Sequence, residues 1–460
     1  MRSKIEESVL EAIRPVPAEK DHIARVAARI MDTASGKDVA EPMVVGSVAR
    51  DTFIHGDRDL DIFLLFDPSL SREELEEKGL MLARGIADEL AERYCEKYAE
   101  HPYISATIDG FDVDLVPCFR VDSASALRSS VDRTPFHTRY ISSRIAPLVD
   151  DVLLAKQFAK GGGVYGSDQM TEGFSGYLCE LLILYYGGFS ALLEAAADWK
   201  PGILIDPEGH RTKDFTEPLV VVDPVDGGRN VSASVSLDRM YEFVELARGY
   251  LDEPSYLFFF PPKRPACTRE QLDVQLNDRG TFLYSISFAT PPYIPDVVVP
   301  QLRRSMDSIL GLLERNGFPV HSADCEMFED RCLLLFELNA GKVPHARRHI
   351  GPPLWNRTNA DKFFEKYTAG DIPGLSSGPY IENGRYVVEV QRRYTTAADL
   401  LRSPDLLDVG LGRHVRQSMV MRWDVFEGGD CWSPESASFL SGFITRKSPL
   451  VRIRKEKAKD

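Results

Sequence analysis

The stretch Val44-Val45-Gly46-Ser47-Val48-Ala49-Arg50, followed after a polar segment by Asp59-Leu60-Asp61-Ile62-Phe63-Leu64-Leu65-Phe66, decides how this chain is read. The second segment has strand character, and residues two apart on a strand share a face. Asp59 and Asp61 therefore point one way, while Leu60, Ile62, Leu64 and Phe66 line the other. Two like charges on one face repel, and an apolar strand does not need them. A divalent cation resolves the conflict, because hard ions such as Mg²⁺ take carboxylate oxygens and keep positions open for phosphates. Gly46-Ser47 precedes a helix-compatible stretch, whose free backbone N–H groups suit phosphate oxygens. A phosphate cradle beside paired acids points to nucleotidyl transfer.

A third acid lies further along. Ile104-Ser105-Ala106-Thr107-Ile108 and Phe111-Asp112-Val113-Asp114-Leu115-Val116 flank Asp109-Gly110, a strong two-residue hairpin signal. On the return strand Phe111, Val113 and Leu115 face one side, with Asp112 and Asp114 on the other. One of these two completes a carboxylate triad for two Mg²⁺ ions, one activating an attacking hydroxyl and the other steadying departing pyrophosphate. Strand geometry does not choose between Asp112 and Asp114.

At 460 residues the chain exceeds what one hydrophobic core usually serves, so two to four domains are expected. With 43% hydrophobic and 27% charged residues it has an ordinary soluble, globular composition. No stretch approaches the roughly 20 apolar residues needed to cross a bilayer. The start, Met1-Arg2-Ser3-Lys4-Ile5-Glu6-Glu7, lacks the apolar run of a secretory signal, so the cytoplasm is the default expectation. Seven scattered cysteines with no Cys-X-X-Cys argue against a zinc ribbon and a complete disulfide framework, and most are expected to be small buried apolar residues. The formal net charge of −15 is a weak guide to nucleic-acid binding, which depends on local patches. The last fifteen residues hold Arg446, Lys447, Arg452, Arg454, Lys455, Lys457 and Lys459 against Glu456 and Asp460, seven minus two, a local positive excess.

Residues 1–35 read as helical, with Ile5, Val9 and Ala12 on one face. A charged segment from about 72 to 100 places Leu75, Leu82, Ile86, Leu90 and Tyr94 at near-helical spacing. Residues 151–251 are mostly helical in pattern, interrupted by Gly161-Gly162-Gly163, with an apolar helix candidate at 174–184. Gly227-Gly228-Arg229-Asn230-Val231 reads as a turn before another helix. Pro261-Pro262-Lys263-Arg264-Pro265 is the best linker candidate. Beyond it come a strand (281–288), a helix carrying Leu302, Met306, Ile309, Leu310 and Leu313, and two strands (320–327 and 332–338). That order suggests an α+β sandwich of the kind RNA-recognition modules use, without an obvious aromatic RNP signature. Residues after about 373 mix strand and helix signals in no clear order.

Gly46-Ser47 with the Asp59/Asp61 pair places the chain among polymerase-β-like nucleotidyltransferases. Further segments tighten the match: His101-Pro102-Tyr103, Asp112-Val113-Asp114-Leu115-Val116-Pro117-Cys118, and 124–137 with Val131-Asp132-Arg133-Thr134-Pro135-Phe136-His137. So do Gly173-Phe174-Ser175-Gly176-Tyr177-Leu178-Cys179-Glu180-Leu181-Leu182 and Val222-Asp223-Pro224-Val225-Asp226. Together they resemble the archaeal-type, class I CCA-adding enzymes, from the N-terminus to at least residue 390, with the tail the weakest part.

The resemblance implies an α+β multidomain protein. Its parts are a nucleotidyltransferase catalytic head (1–150), a mainly helical nucleotide-binding neck (151–255), an RRM-like RNA-binding body (256–372) and a C-terminal tRNA-binding tail (373–460). It implies template-independent addition of C, C and A to the 3′ end of tRNA from CTP and ATP with two Mg²⁺ ions. By resemblance Asp59, Asp61 and Asp114 are the metal-binding catalytic acids; the family's first acid is often Glu, so Asp59 is one methylene shorter. Ser47, Arg50, Lys156 and Tyr165 match triphosphate contacts, as a hydroxyl, N–H groups and a guanidinium suit phosphate. His101, Thr134 and His137 match residues beside the sugar and base, and Arg229 one that helps select C or A. The resemblance also implies contact with the acceptor stem and TΨC arm, and allows a homodimer. A poly(A) polymerase-like enzyme and a non-catalytic tRNA-binding protein are the alternatives, and a metal-dependent nuclease fits the acids but not the Gly-Ser cradle.

Overall fold

The computed structural model describes residues 2–35, 40–98, 102–263 and 265–457. The chain forms two compact units, one of residues 1–263 with 447–460 and one of 264–446. The division falls inside the Pro261-Pro262-Lys263-Arg264-Pro265 stretch.

The first unit opens with α1 (Lys4–Ile13) and α2 (Pro17–Ser35). The helical pattern expected over 1–35 is divided into two helices, because Pro15 and Pro17 interrupt the backbone ladder. Ser3 caps α1 reciprocally with Glu6, and the buried face is Val9, Leu10 and Ile13; Ala12 is exposed, contrary to expectation. A five-stranded sheet follows: β1 (Glu41–Val45), β2 (Asp59–Phe66), β3 (Arg93–Tyr98), β4 (Pro102–Ile108) and β5 (Phe111–Phe119), in the order β1-β2-β5-β4-β3. Between β1 and β2 the single turn α3 (Gly46–Ala49) reverses the chain, and α4 (Arg72–Leu90) links β2 to β3.

The expected helix over 72–100 ends at Leu90. Tyr94 then lies exposed on β3, where pairing with β4 outweighs its near-helical spacing. Asp109 (φ +49°) and Gly110 (φ +75°) make the tight turn between β4 and β5. Positive φ at both central residues is what a type I′ hairpin requires. One sheet face buries Leu60, Ile62, Val113 and Leu115 against Ile23, Val26, Leu75 and Leu82 of α2 and α4.

The rest of this unit is α5 (Thr134–Ser142), α6 (Val149–Gly162), α7 (Gly176–Tyr186), α8 (Phe189–Ala196) and α9 (Leu237–Asp252), with a small sheet β6 (Ile203–Ile205), β7 (Leu219–Asp223) and β8 (Asp226–Asn230). Of residues 227–231, expected as a turn, 227–230 instead belong to β8, which pairs antiparallel with β7. Helix α6 runs through Gly161 and Gly162 and stops at Gly163 in the left-handed region. The terminal helix Pro449–Lys457 packs on this unit, burying Leu450 and Ile453 in the same core as α6 to α9.

The second unit contains α10 (Arg269–Arg279), β9 (Phe282–Ala289), α11 (Pro295–Arg315), β10 (Val320–Met327) and β11 (Arg331–Leu338). Then come β12 (Ala346–Pro353), α12 (Arg357–Thr368), β13 (Leu375–Glu382), β14 (Arg385–Gln391) and β15 (Asp424–Glu427). The main sheet has the order β10-β11-β9-β15, all antiparallel. Its fourth strand arrives only after β12, β14 and β13 have formed a separate three-stranded sheet, which is why 373–460 resists ordering from sequence. Leu302, Ile309 and Leu313 are buried core, with Met306 and Leu310 packed against it. Six of the seven cysteines are buried and Cys95 is exposed. Among the described residues no single helix is long and apolar enough to cross a membrane.

Candidate active site

Strand register assembles the acids. β2 and β5 run parallel with Asp59 opposite Asp112 and Asp61 opposite Asp114. Since partners across a ladder share a face, all four carboxylates lie on one side of the sheet. They line a cleft of about 620 Å³ together with Gly46, Ser47, Arg50, Lys156 and Tyr165. Burial, then Asp114 and Asp59, pushes the Asp61 carboxyl up to about 6. Asp59 reaches solvent, yet partial burial and its acidic neighbours Asp57, Asp112 and Asp114 also raise it.

This donor set fits a hard divalent cation: oxygen ligands, an open cleft, and ionised forms that a cation would relieve. Among the described residues no three His, Cys, Asp or Glu side chains are arranged as a ready-made metal cage. Mg²⁺ rarely uses one; it takes one or two carboxylates and completes its shell with water and substrate phosphates.

Opposite the acids lies a buried ionic cluster. Lys156, from α6, is 2% exposed and donates to the Thr52 carbonyl at 2.8 Å. Its Nζ lies 3.5 Å from Oε1 of Glu180, a fully buried acid on α7. Arg50, at the end of α3, brings Nε within 2.8 Å of Glu180 Oε2 and Nη1 within 3.4 Å of Thr138 Oγ1. Thr52 Oγ1 donates to Glu180 Oε1. Tyr165 closes the wall beneath Lys160, whose Nζ lies 5.2 Å from the ring centroid. Gly176 leaves room there, since a Cβ would fall 3.0 Å from the Tyr165 hydroxyl and 3.5 Å from Lys156 Nζ.

A second cleft, about 840 Å³, shares Gly46, Arg50 and Tyr177 with the first and is also lined by Thr134, His137 and Arg229. Its anchor is buried Asp223 at the end of β7. His137 Nε2 donates to Asp223 Oδ2 at 2.8 Å, Arg229 Nη1 donates to the same oxygen at 2.8 Å, and the Tyr177 hydroxyl reaches Oδ1 at 3.4 Å. Burial pulls the Asp223 carboxyl upward, but the donors from His137, Val225 and Arg229 outweigh it and hold it below the usual range. Burial lowers His137, whose ring stacks on Tyr177 with centroids 4.3 Å apart. Asp132 fixes the start of α5, and with it Thr134 and His137, by accepting from the N–H groups of Phe119, Arg128 and Ser129.

Of the residues singled out from sequence, Ser47, Arg50, Asp59, Asp61, Asp114, Lys156 and Tyr165 meet in the first cleft. Arg50, Thr134, His137 and Arg229 meet in the second. His101 lies outside the described residues. Sequence reading passed over Glu180 and Asp223. Each carries a legible sign: a lone acid inside an apolar run, Leu178-Cys179-Glu180-Leu181-Leu182 and Leu219-Val220-Val221-Val222-Asp223, which burial permits only with partners.

Three family models cover most of the chain: a nucleotidyltransferase domain at residues 25–137, a tRNA nucleotidyltransferase second domain at 150–260, and a CCA-adding enzyme C-terminal domain at 279–428. The CCA-adding enzyme of Methanoregula boonei is 57% identical over 457 residues, covering 99% of this chain and 98% of that one. Those of Methanosarcina acetivorans (43%, covering 92% and 93%) and Methanothermobacter thermautotrophicus (39%, covering 97% and 99%) are also similar over nearly their whole length. Among solved structures, a Cid1 poly(U) polymerase aligns with TM-score 0.43 and 19% identity, covering 55% of this chain and 97% of that one. On the full-length identity to these archaeal proteins and the three matching domains, the chain belongs to the family of CCA-adding enzymes, the tRNA nucleotidyltransferases.

Proposed function

We propose that this protein builds and repairs the 3′-terminal CCA of tRNA from CTP and then ATP, without a nucleic-acid template, and that Asp59, Asp61 and Asp114 are its catalytic acids. The observation that carries the assignment of the acids is the parallel register setting Asp61 beside Asp114, with Arg50 and Lys156 lining the same cleft. Two Mg²⁺ ions held by these three carboxylates would activate the tRNA 3′-hydroxyl toward the α-phosphate and neutralise charge on pyrophosphate. The protein's own groups do the positioning. Ser47, Arg50, Lys156 and Tyr165 take the triphosphate. Thr134 and His137, and by family resemblance His101, are assigned to the sugar and base, and Arg229, braced by Asp223, to discriminating C from A. As in phosphoryl transfer generally, positioning and charge stabilisation suffice, and no covalent intermediate is needed.

We assign nucleotide transfer to 1–150 with the neck at 151–255, and tRNA holding to the body at 256–372 and the tail at 373–460. The acceptor stem and TΨC arm would be gripped through phosphates and backbone shape. We place the reaction in the cytoplasm; the family resemblance allows a homodimer.

The test is incubation with Mg²⁺ and tRNA lacking its CCA. Extension by two nucleotides with CTP alone and by three with both nucleotides is expected. Long A-tails with ATP alone would make it a poly(A) polymerase, and tight binding without extension a tRNA-binding protein.

A further inference from the structure

We propose that Glu180 is a positioning residue for nucleotide transfer, holding Arg50 and Lys156 as one charged, oriented pair beneath the triphosphate. The inference rests on the reading above that these two cations meet the nucleotide.

The argument begins with α7. Its residues Leu178, Cys179, Leu181, Leu182 and Ile183 are buried, and Glu180 among them is 0% exposed. An ionised carboxylate in such surroundings is costly unless paired and hydrogen-bonded. Glu180 has three partners from remote parts of the chain: Arg50 Nε at 2.8 Å, Lys156 Nζ at 3.5 Å and the Thr52 hydroxyl. The Arg50 approach is close but not aligned as a hydrogen bond, so charge rather than direction holds it. Arg50 and Lys156 line the cleft, whereas Glu180 lies behind them and acts only through them.

Two cations on one carboxylate leave a single net positive charge facing the cleft. Burial also lowers the affinity of Lys156 for its proton, and Glu180 opposes that fall. Beyond Glu180, the groups acting most strongly on Lys156 supply no substitute negative charge, and the carboxylates Asp59, Asp61, Asp112 and Asp114 share the cleft without being among them. Arg50 is cationic. The Cys179 thiol, pushed up to about 12 by burial, stays neutral, and burial raises the Tyr165 hydroxyl as well. Glu180 therefore favours the ammonium form of Lys156, while Thr52 fixes where both groups point.

The experiment compares wild type, Glu180→Gln and Glu180→Asp. The dissociation constants for ATP and CTP with Mg²⁺ are read by calorimetry, and KM and kcat from extension of tRNA lacking CCA. In E180Q, nucleotide affinity is expected to fall about tenfold near pH 7, because Arg50 and Lys156 lose the carboxylate that orients them toward the triphosphate. The gap widens at a second, more alkaline pH, since Lys156 gives up its proton more readily without its carboxylate partner. KM should carry most of the change. E180D keeps the charge on a shorter arm, so its affinity falls while its pH profile stays that of wild type.

Wild-type affinity in E180Q at both pH values overturns the proposal. So does a loss that is equal at both and tracks a lowered melting temperature. Should E180Q fail to fold, E180D decides: reduced affinity at an unchanged melting temperature supports the proposal, and wild-type affinity ends it. If wild-type protein does not extend tRNA, the functional reading falls, while the calorimetric comparison still tests Glu180.

Discussion

A Cβ added to Gly46 would lie 2.2 Å from Asp61 Oδ2. Gly46 also holds φ +72°, a conformation L side chains rarely adopt, so the turn out of β1 requires glycine twice over. Gly46→Ala is expected to push the Asp61 carboxylate off its station. Displacement of a reacting group by about 1 Å can cost about 100-fold in rate, and the extension assay should show a loss of that order. The backbone penalty adds about 1–2 kcal/mol of destabilisation, read as a lower denaturant midpoint. Near-wild-type extension by G46A would remove Asp61 from the chemistry.

Asp61→Asn should separate stability from activity. With its carboxyl raised to about 6, the folded state takes up a proton more readily than the unfolded chain, so ionised Asp61 destabilises the metal-free protein above that pH. A neutral amide removes the repulsion from Asp114 and Asp59. Without divalent cation, D61N is expected to gain about 1 kcal/mol over wild type at neutral pH, and to lose nucleotide transfer entirely. Unfolding curves and the extension assay check the two halves independently.

The Asp223 hub makes the fold acid-sensitive in a defined direction. Burial holds His137 below its ordinary value, so the unfolded chain binds a proton there more readily; this contribution is full above about 6.5 and is lost as pH falls below that toward the lower folded value. Asp223, also held low, adds stability that is lost only further into acid. Against an Asp61→Asn background, which removes the opposing gain as Asp61 takes up its proton, melting temperature should therefore fall in two stages from neutral pH downward, and adding His137→Gln should remove the first.

Removing Asp223 altogether leaves Arg229 and His137 without their shared acceptor. Breaking a buried ionic set by deleting one member typically costs about 3–5 kcal/mol. Asp223→Ala is expected to lose stability on that scale and to blur the choice between CTP and ATP, measured as misincorporation at the third added position.

The basic end of the chain has a packing role. Leu450 and Ile453 sit in the core of the first unit, and a Cβ on Gly249 would meet Leu450 at 2.3 Å. Leu450→Ala should cost about 2–4 kcal/mol, as large-to-small core changes do. Arg454→Ala, at an exposed contact with Asp252, should cost at most about 1 kcal/mol. Urea titrations of both variants would measure the difference.

Short-range physics determined a good deal by itself. Period-two alternation placed Asp59 and Asp61 on one face and Asp112 and Asp114 on another, and Asp109-Gly110 set the tight turn before β5. Local pattern erred at Tyr94 and at residues 227–230, where pairing with a neighbouring strand outweighed spacing and turn propensity. Only the tertiary structure decided that β2 lies beside β5 in the register that merges the acids into one face. It also decided that Glu180 serves both Arg50 and Lys156, and that His137 and Arg229 share Asp223. Periodicity reports which face a residue occupies on its own element. It cannot report which remote charge burial will force against it.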